Sequence, residues 1–85
     1  MAFYFNAPQI DLHGMDRDTA RILVHEFLVD NYKMQKEYVI IIHGIGTGIL
    51  KKEIHQLLAK EKIVEQYKLD HFNSGCTIVK LKTKV

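Results

Sequence analysis

Tyr38-Val39-Ile40-Ile41-Ile42-His43-Gly44-Ile45-Gly46-Thr47-Gly48 decides how this chain is read. The first half is a short β-branched run, and unbroken apolarity marks a central strand with both faces largely covered. The second half sets three glycines at alternate positions, a strand-to-helix turn whose backbone can take positive φ and approach a ligand closely. Beyond it, Leu50, Ile54, Leu57 and Leu58 recur with helical spacing to about Lys62. The free N–H groups and positive dipole end of that helix then face whatever the glycines cradle, which suits a phosphate. Lys51 and Lys52 sit in its first turn, where a cation opposes the dipole unless an anion joins it.

Toward the N-terminus, Gln9 to His13 reads as a short strand in which Ile10 and Leu12 alternate with Asp11 and His13, closed by Gly14. Asp16 is a helix N-cap, and Ala20, Leu23, Val24, Phe27 and Leu28 make Arg17 to about Tyr32 an amphipathic helix. Toward the C-terminus, Val64 to Phe72 is a third strand, Asn73-Ser74-Gly75 a turn, and Cys76 to Thr83 a fourth strand. The order β-α-β-α-β-β predicts an α/β two-layer sandwich. Right-handed crossovers put both helices on one face of a four-stranded mixed sheet and leave the other face open. Residues 1–8 read as an N-terminal arm, whose Phe3, Tyr4 and Phe5 pack on the core or stack on bases; residues 9–85 form the domain.

Eighty-five residues hold one core, so a free-standing single domain is expected. A hydrophobic fraction of 47% excludes a disordered chain. The one cysteine, Cys76, is a small strand residue with no disulfide partner, in keeping with a reducing compartment. No signal peptide or membrane-length apolar run is present, so a cytoplasmic protein without a membrane partner is expected. Residues 1–40 carry four Lys/Arg against six Asp/Glu, and residues 41–85 eight against four. The basic second half suits a phosphate-bearing partner.

Ligands of open α/β sheets sit beyond the carboxyl ends of the strands. Asp11 and His13 end the first strand, and His43 ends the second. If those strands adjoin at about 4.8 Å, the three side chains meet at one rim. Gly44, Gly46, Thr47 and Gly48, with Lys51 and Lys52, form a phosphate cradle beside it. The spacing of the glycines matches neither a dinucleotide fingerprint nor a P-loop. Lys80, Lys82 and Lys84 project to the face opposite Val79 and Leu81, where they are expected to lie beside Asp11 and His13 as a track for a nucleic-acid backbone. His25, His55 and His71 read as structural or surface residues.

Ile10-Asp11-Leu12-His13-Gly14 resembles the Leu-Asp-Leu-His-Gly signature of the Smr (small MutS-related) domain. His43 to Leu50 is similar to its His-Gly-x-Gly-x-Gly-x-Leu signature, and Gly75 to Leu81 to its Gly-Ala-Thr-x-Val-x-Leu strand. The resemblance covers about Gln9 to Leu81. It implies a fold similar to the carboxyl-terminal domain of bacterial translation initiation factor three, with the last strand between the second and third. Family members are implicated as endonucleases that nick DNA or cleave RNA, and the motifs carry that implication to Asp11, His13, His43, Gly44, Gly46 and Gly48. Lys51 stands where the family commonly has Arg, keeping the charge without bidentate grip, and Cys76 replaces Ala.

The expected activity is therefore phosphodiester hydrolysis on DNA or RNA, free or ribosome-associated. Asp11 would orient a histidine or hold a divalent cation, magnesium or manganese. His13 and His43 would serve as general base and acid, and the loop with Lys51 would stabilise the phosphorane charge. The alternatives are a non-catalytic nucleic-acid- or ribosome-binding module using the same face, and a protein-interaction module. The chain is expected to be a monomer, or a weak homodimer through Val39 to Ile42.

Overall fold

The computed structural model describes residues 6–83; Phe3, Tyr4, Phe5 and Lys84 lie outside the described residues. Its elements are β1 (Gln9–Asp11), α1 (Arg17–Lys33), β2 (Tyr38–Ile42), α2 (Ile49–Lys60), β3 (Val64–Leu69) and β4 (Cys76–Leu81). The sheet order is β1-β2-β4-β3, with β1 parallel to β2, and β4 antiparallel to both its neighbours. The last strand thus fills the middle of the sheet, as the resemblance implied.

Local chemistry sets the boundaries. β1 stops at Asp11, two residues early, because the Asp11 carboxylate accepts the His13 backbone N–H at 3.1 Å and turns the chain. α1 begins after Asp16, whose Oδ1 accepts the Thr19 N–H at 2.9 Å as a side-chain N-cap. Ala20, Val24 and Leu28 then fall four residues apart on one stripe, all fully buried.

That stripe meets Ile54 and Leu58 of α2 and the sheet residues Leu12, Val39, Ile41, Val79 and Leu81, which together form the core. Both helices therefore lie on one face. The apolar run of β2 is covered unevenly: Val39 and Ile41 are buried under the helices, whereas Tyr38, Ile40 and Ile42 are half-buried on the other face. β2 lies inside the sheet, flanked by β1 and β4. Among the described residues no helix is long and apolar enough to cross a membrane.

Candidate active site

The carboxyl ends of β1 and β2 and the N-termini of both helices converge on a concavity of about 690 Å³, walled by His13, Arg17, His43, Lys51 and the Gly44–Gly48 loop. The backbone builds its floor. Gly75 O accepts both the His43 and Gly44 N–H groups, at 2.9 and 3.0 Å, pinning the start of the loop to the start of β4. Gly44 and Gly48 take φ of 82° and 84°, in the left-handed region that favours glycine. A Cβ on Gly44 would stand 3.2 Å from the Cβ of His13, so the absent side chain is what lets the two strand ends approach.

The two helix starts differ. Asp16 satisfies α1, but Gly48 offers α2 no side-chain cap and no acidic residue occupies its first turn. Beyond the Ile49 N–H, which the Thr47 hydroxyl accepts at 3.4 Å, the α2 N-terminus presents free donors and a partial positive charge to the concavity. Arg17, Lys51 and Lys52 enter none of the ion pairs among the described residues, whereas Arg21 is held by Asp18 and Glu53. The concavity wall thus carries the unspent cations Arg17 and Lys51, while its one carboxylate among the described residues, Asp16, is engaged in capping α1.

Asp11 and His13 meet as expected. Asp11 Oδ1 lies 2.8 Å from His13 Nδ1, which fixes the imidazole with Nδ1 protonated and leaves Nε2 for a substrate. The hydrogen bond and charge of Asp11 hold His13 above the ordinary histidine range, and the same contacts hold Asp11 below the usual carboxylate range. The His13 side chain is 73% exposed, so the pair is a poised surface dyad and no buried ion pair.

His43 does not join them. Asp11 is in register with Ile42, so the next residue along β2 points to the opposite face. His43 is 3% exposed, beneath the loop, with Nδ1 2.9 Å from Gly44 O and Nε2 2.8 Å from Thr77 Oγ1. It shares the concavity wall with His13 but not the Asp11–His13 contact, which corrects the expectation that all three side chains meet.

Lys80 and Lys82 also require correction. Lys80 lies on the expected face, but β4 runs antiparallel to β2 and pairs Cys76 with Ile42 and Lys80 with Tyr38. Four residues at about 3.3 Å each put Lys80 some 13 Å from the rim, at the far end of the sheet. Its ammonium sits 3.7 Å from Glu65, so these lysines provide no track beside the dyad. Thr47, Gly46, Gly48 and Lys51 do line the concavity, and Lys52 adjoins it.

The structure adds two residues that sequence reasoning passed over. Thr77 Oγ1 lies 2.8 Å from both His43 Nε2 and His55 Nε2. A carbonyl only accepts, so His43 Nδ1 carries the proton given to Gly44 O. With a neutral ring, Nε2 then accepts the Thr77 hydroxyl proton, and the Thr77 oxygen accepts His55 Nε2–H. Burial lowers the affinity of His55 for a second proton, in keeping with that neutral donor. Thr77 is fully buried on the core-facing side of β4, and a polar residue in step with Val79 and Leu81 was the sequence signal that a partner waits there. Thr77→Val keeps the volume and removes the bridge, so both rings lose a partner. A loss of about 1–3 kcal/mol is expected, read by urea unfolding, while Thr77→Ser retains the hydroxyl and the greater part of that stability. Wild-type stability in Thr77→Val would exclude the bridge.

A resident divalent cation does not fit these residues. Asp11 is the lone carboxylate of the dyad and its Oδ1 is taken by His13. Among the described residues no group of three or more His, Cys, Asp or Glu could hold a metal ion.

Comparison with known proteins gives consistent matches. The Smr domain model matches residues 10–82. Endonuclease MutS2 of Clostridium perfringens (strain SM101 / Type A) is 37% identical over 78 residues, 88% of this chain and 10% of that protein. The chain thus spans about a tenth of the length of such relatives. The crystal structure of the Smr domain of Thermus thermophilus MutS2 superposes with a TM-score of 0.87 at 26% identity, covering 89% of this chain and 99% of that one. YdaL, a stand-alone small MutS-related protein from Escherichia coli, gives 0.83 at 23% identity over 88% of this chain and 64% of its own, a likeness of fold.

Proposed function

This chain belongs to the Smr domain family, and from that premise we propose that it is a nucleic-acid endonuclease that hydrolyses a phosphodiester in the concavity at the Gly44–Gly48 loop. The observation that carries the reading is the Asp11–His13 dyad set beside an uncapped helix start with unspent cations. His13 Nε2 takes the proton of the attacking oxygen, water on DNA (hydrolysis) or the 2′-hydroxyl on RNA (transesterification to a cyclic phosphate), as a P–O bond forms; the leaving P–O bond breaks and its oxygen takes a proton from solvent water. Asp11 holds the ring and favours its protonated form. The loop, the α2 N-terminus and Lys51 meet the charge on the phosphoryl oxygens. His43, with both nitrogens engaged, acts as a positioning residue that locks the loop through Gly44 O. No step runs through a metal.

The burial of His43 favours a second reading, a nucleic-acid-binding module without turnover, since it leaves one exposed histidine where two were expected. Incubation of pure protein with supercoiled plasmid and with structured RNA, each with and without magnesium, separates the two. Nicked plasmid or shortened RNA supports the enzyme. Retention of both substrates intact, with binding, supports the module. The name of the Clostridium perfringens relative, an endonuclease, sides with the first reading.

A further inference from the structure

Thr47, Gly48 and Lys51 line the concavity on one side, and on the other they line a second groove of about 630 Å³ beside α2, walled further by Lys52, His55, Gln56 and Tyr67. Among the described residues no acidic side chain lines this groove. Among the described residues Lys51 and Lys52 have no ion-pair partner, whereas the sheet-face cation Lys80 leans on Glu65 at the opposite end of the molecule. The electropositive path away from the dyad therefore runs over the start of α2 and not along β4.

Its far wall is aromatic. His55 and Tyr67 stand with ring centroids 5.1 Å apart at 66°. The His55 Nε2 is spent on Thr77, which leaves Nδ1 as an acceptor, and the Gln56 amide beside it offers a donor and an acceptor. Free cations leading to a ring pair with adjacent amide and imidazole groups combine the two elements of single-strand recognition, a backbone track and a stacking platform.

We propose that this groove seats the unpaired nucleotide flanking the scissile phosphate, its own phosphate between Lys51 and Lys52 and its base against the His55–Tyr67 pair. The assignment rests on the nucleic-acid reading above and adds the route of the strand. It makes the preferred substrate one with an unpaired nucleotide beside the cleaved bond, because a base held in a duplex cannot reach the rings.

The test is an NMR titration of the full chain with hexauridylate and with hexathymidylate at low salt. The Tyr67 ring, the His55 ring and the Gln56 side-chain amide shift together with the loop amides. Lys52→Gln, at an exposed position, weakens binding severalfold and flattens the plot of log K against log salt by about 0.7, the value for one lost contact to a single strand. Tyr67→Leu costs roughly tenfold or more in affinity, and Tyr67→Phe restores it; should the leucine variant fail to fold, Lys52→Gln and the chemical shifts still decide. Lys80→Gln with Lys82→Gln leaves affinity unchanged. Shifts confined to the loop, or centred on Lys80 and Lys82, overturn the groove alone. No binding of either oligonucleotide overturns the nucleic-acid reading, and the groove with it.

Discussion

His13→Ala is expected to lower the cleavage rate by about 10²–10⁴-fold while oligonucleotide affinity and thermal stability stay at wild-type values. The separation follows from where the side chain sits. It is largely exposed and, among the described residues, bonded only to Asp11, so its removal opens no cavity and unlocks no part of the loop. The uncapped α2 start and the cations that would hold phosphate are on other elements. Single-turnover cleavage, binding and melting measured on one preparation check all three parts; a wild-type rate in His13→Ala would remove the dyad from the chemistry.

Asp11→Asn refines the same result through pH. Asp11 raises the pKa of His13, so in wild type the deprotonated base accumulates only above the ordinary histidine value, and the rate climbs with pH through that raised midpoint. With the charge removed, the midpoint falls toward about 6.5. The shift is toward acid, on the rising limb. A shift seen only on the falling limb would make His13 the general acid instead.

Gly44→Ala should be the most damaging conservative change in the loop. Its φ of 82° costs an alanine about 1–2 kcal/mol, and the new Cβ would press on the Cβ of His13 at 3.2 Å. Gly48 has nearly the same φ, but nothing lies within 4 Å of its Cβ position, so Gly48→Ala carries the backbone strain alone. A melting temperature lower by on the order of 10 °C is expected for Gly44→Ala, with a smaller drop for Gly48→Ala. Only Gly44→Ala should also displace His13 and slow cleavage. Equal melting of the two variants would show that the approach of the strand ends carries no energetic weight.

The elements were legible in the sequence because their signals are local: a β-branched run, two helical periodicities, an N-capping Asp16 and an Asn-Ser-Gly turn. The Asp11–His13 pair was legible too, since Ile10 and Leu12 declare which way β1 faces. His43 was not. It ends a strand apolar on both sides, so alternation there carries no information about its face, and only register with β1 supplies it. The lysines of β4 misled for a related reason. Their face follows from alternation within one strand, but their end of the sheet follows from strand direction and order. The partnership of Thr77 with His55 joins residues 22 apart in sequence, and the core-facing parity of Thr77 showed only that some partner had to exist.

The place of β4 between β2 and β3 bears on how this domain is made. Translated from its N-terminus, the chain lays down β1, α1, β2, α2 and β3 before the strand that joins β2 to β3 exists. Val79 and Leu81, both fully buried, arrive with that strand, as does the Gly75 carbonyl that pins the loop. A nascent chain lacking β4 has two sheet edges facing a gap and a core missing its centre, so no stable part-domain should accumulate on the ribosome. Long-range pairing of this kind delays folding; here it defers the domain, and the assembly of its candidate active site, until the last strand has cleared the exit tunnel.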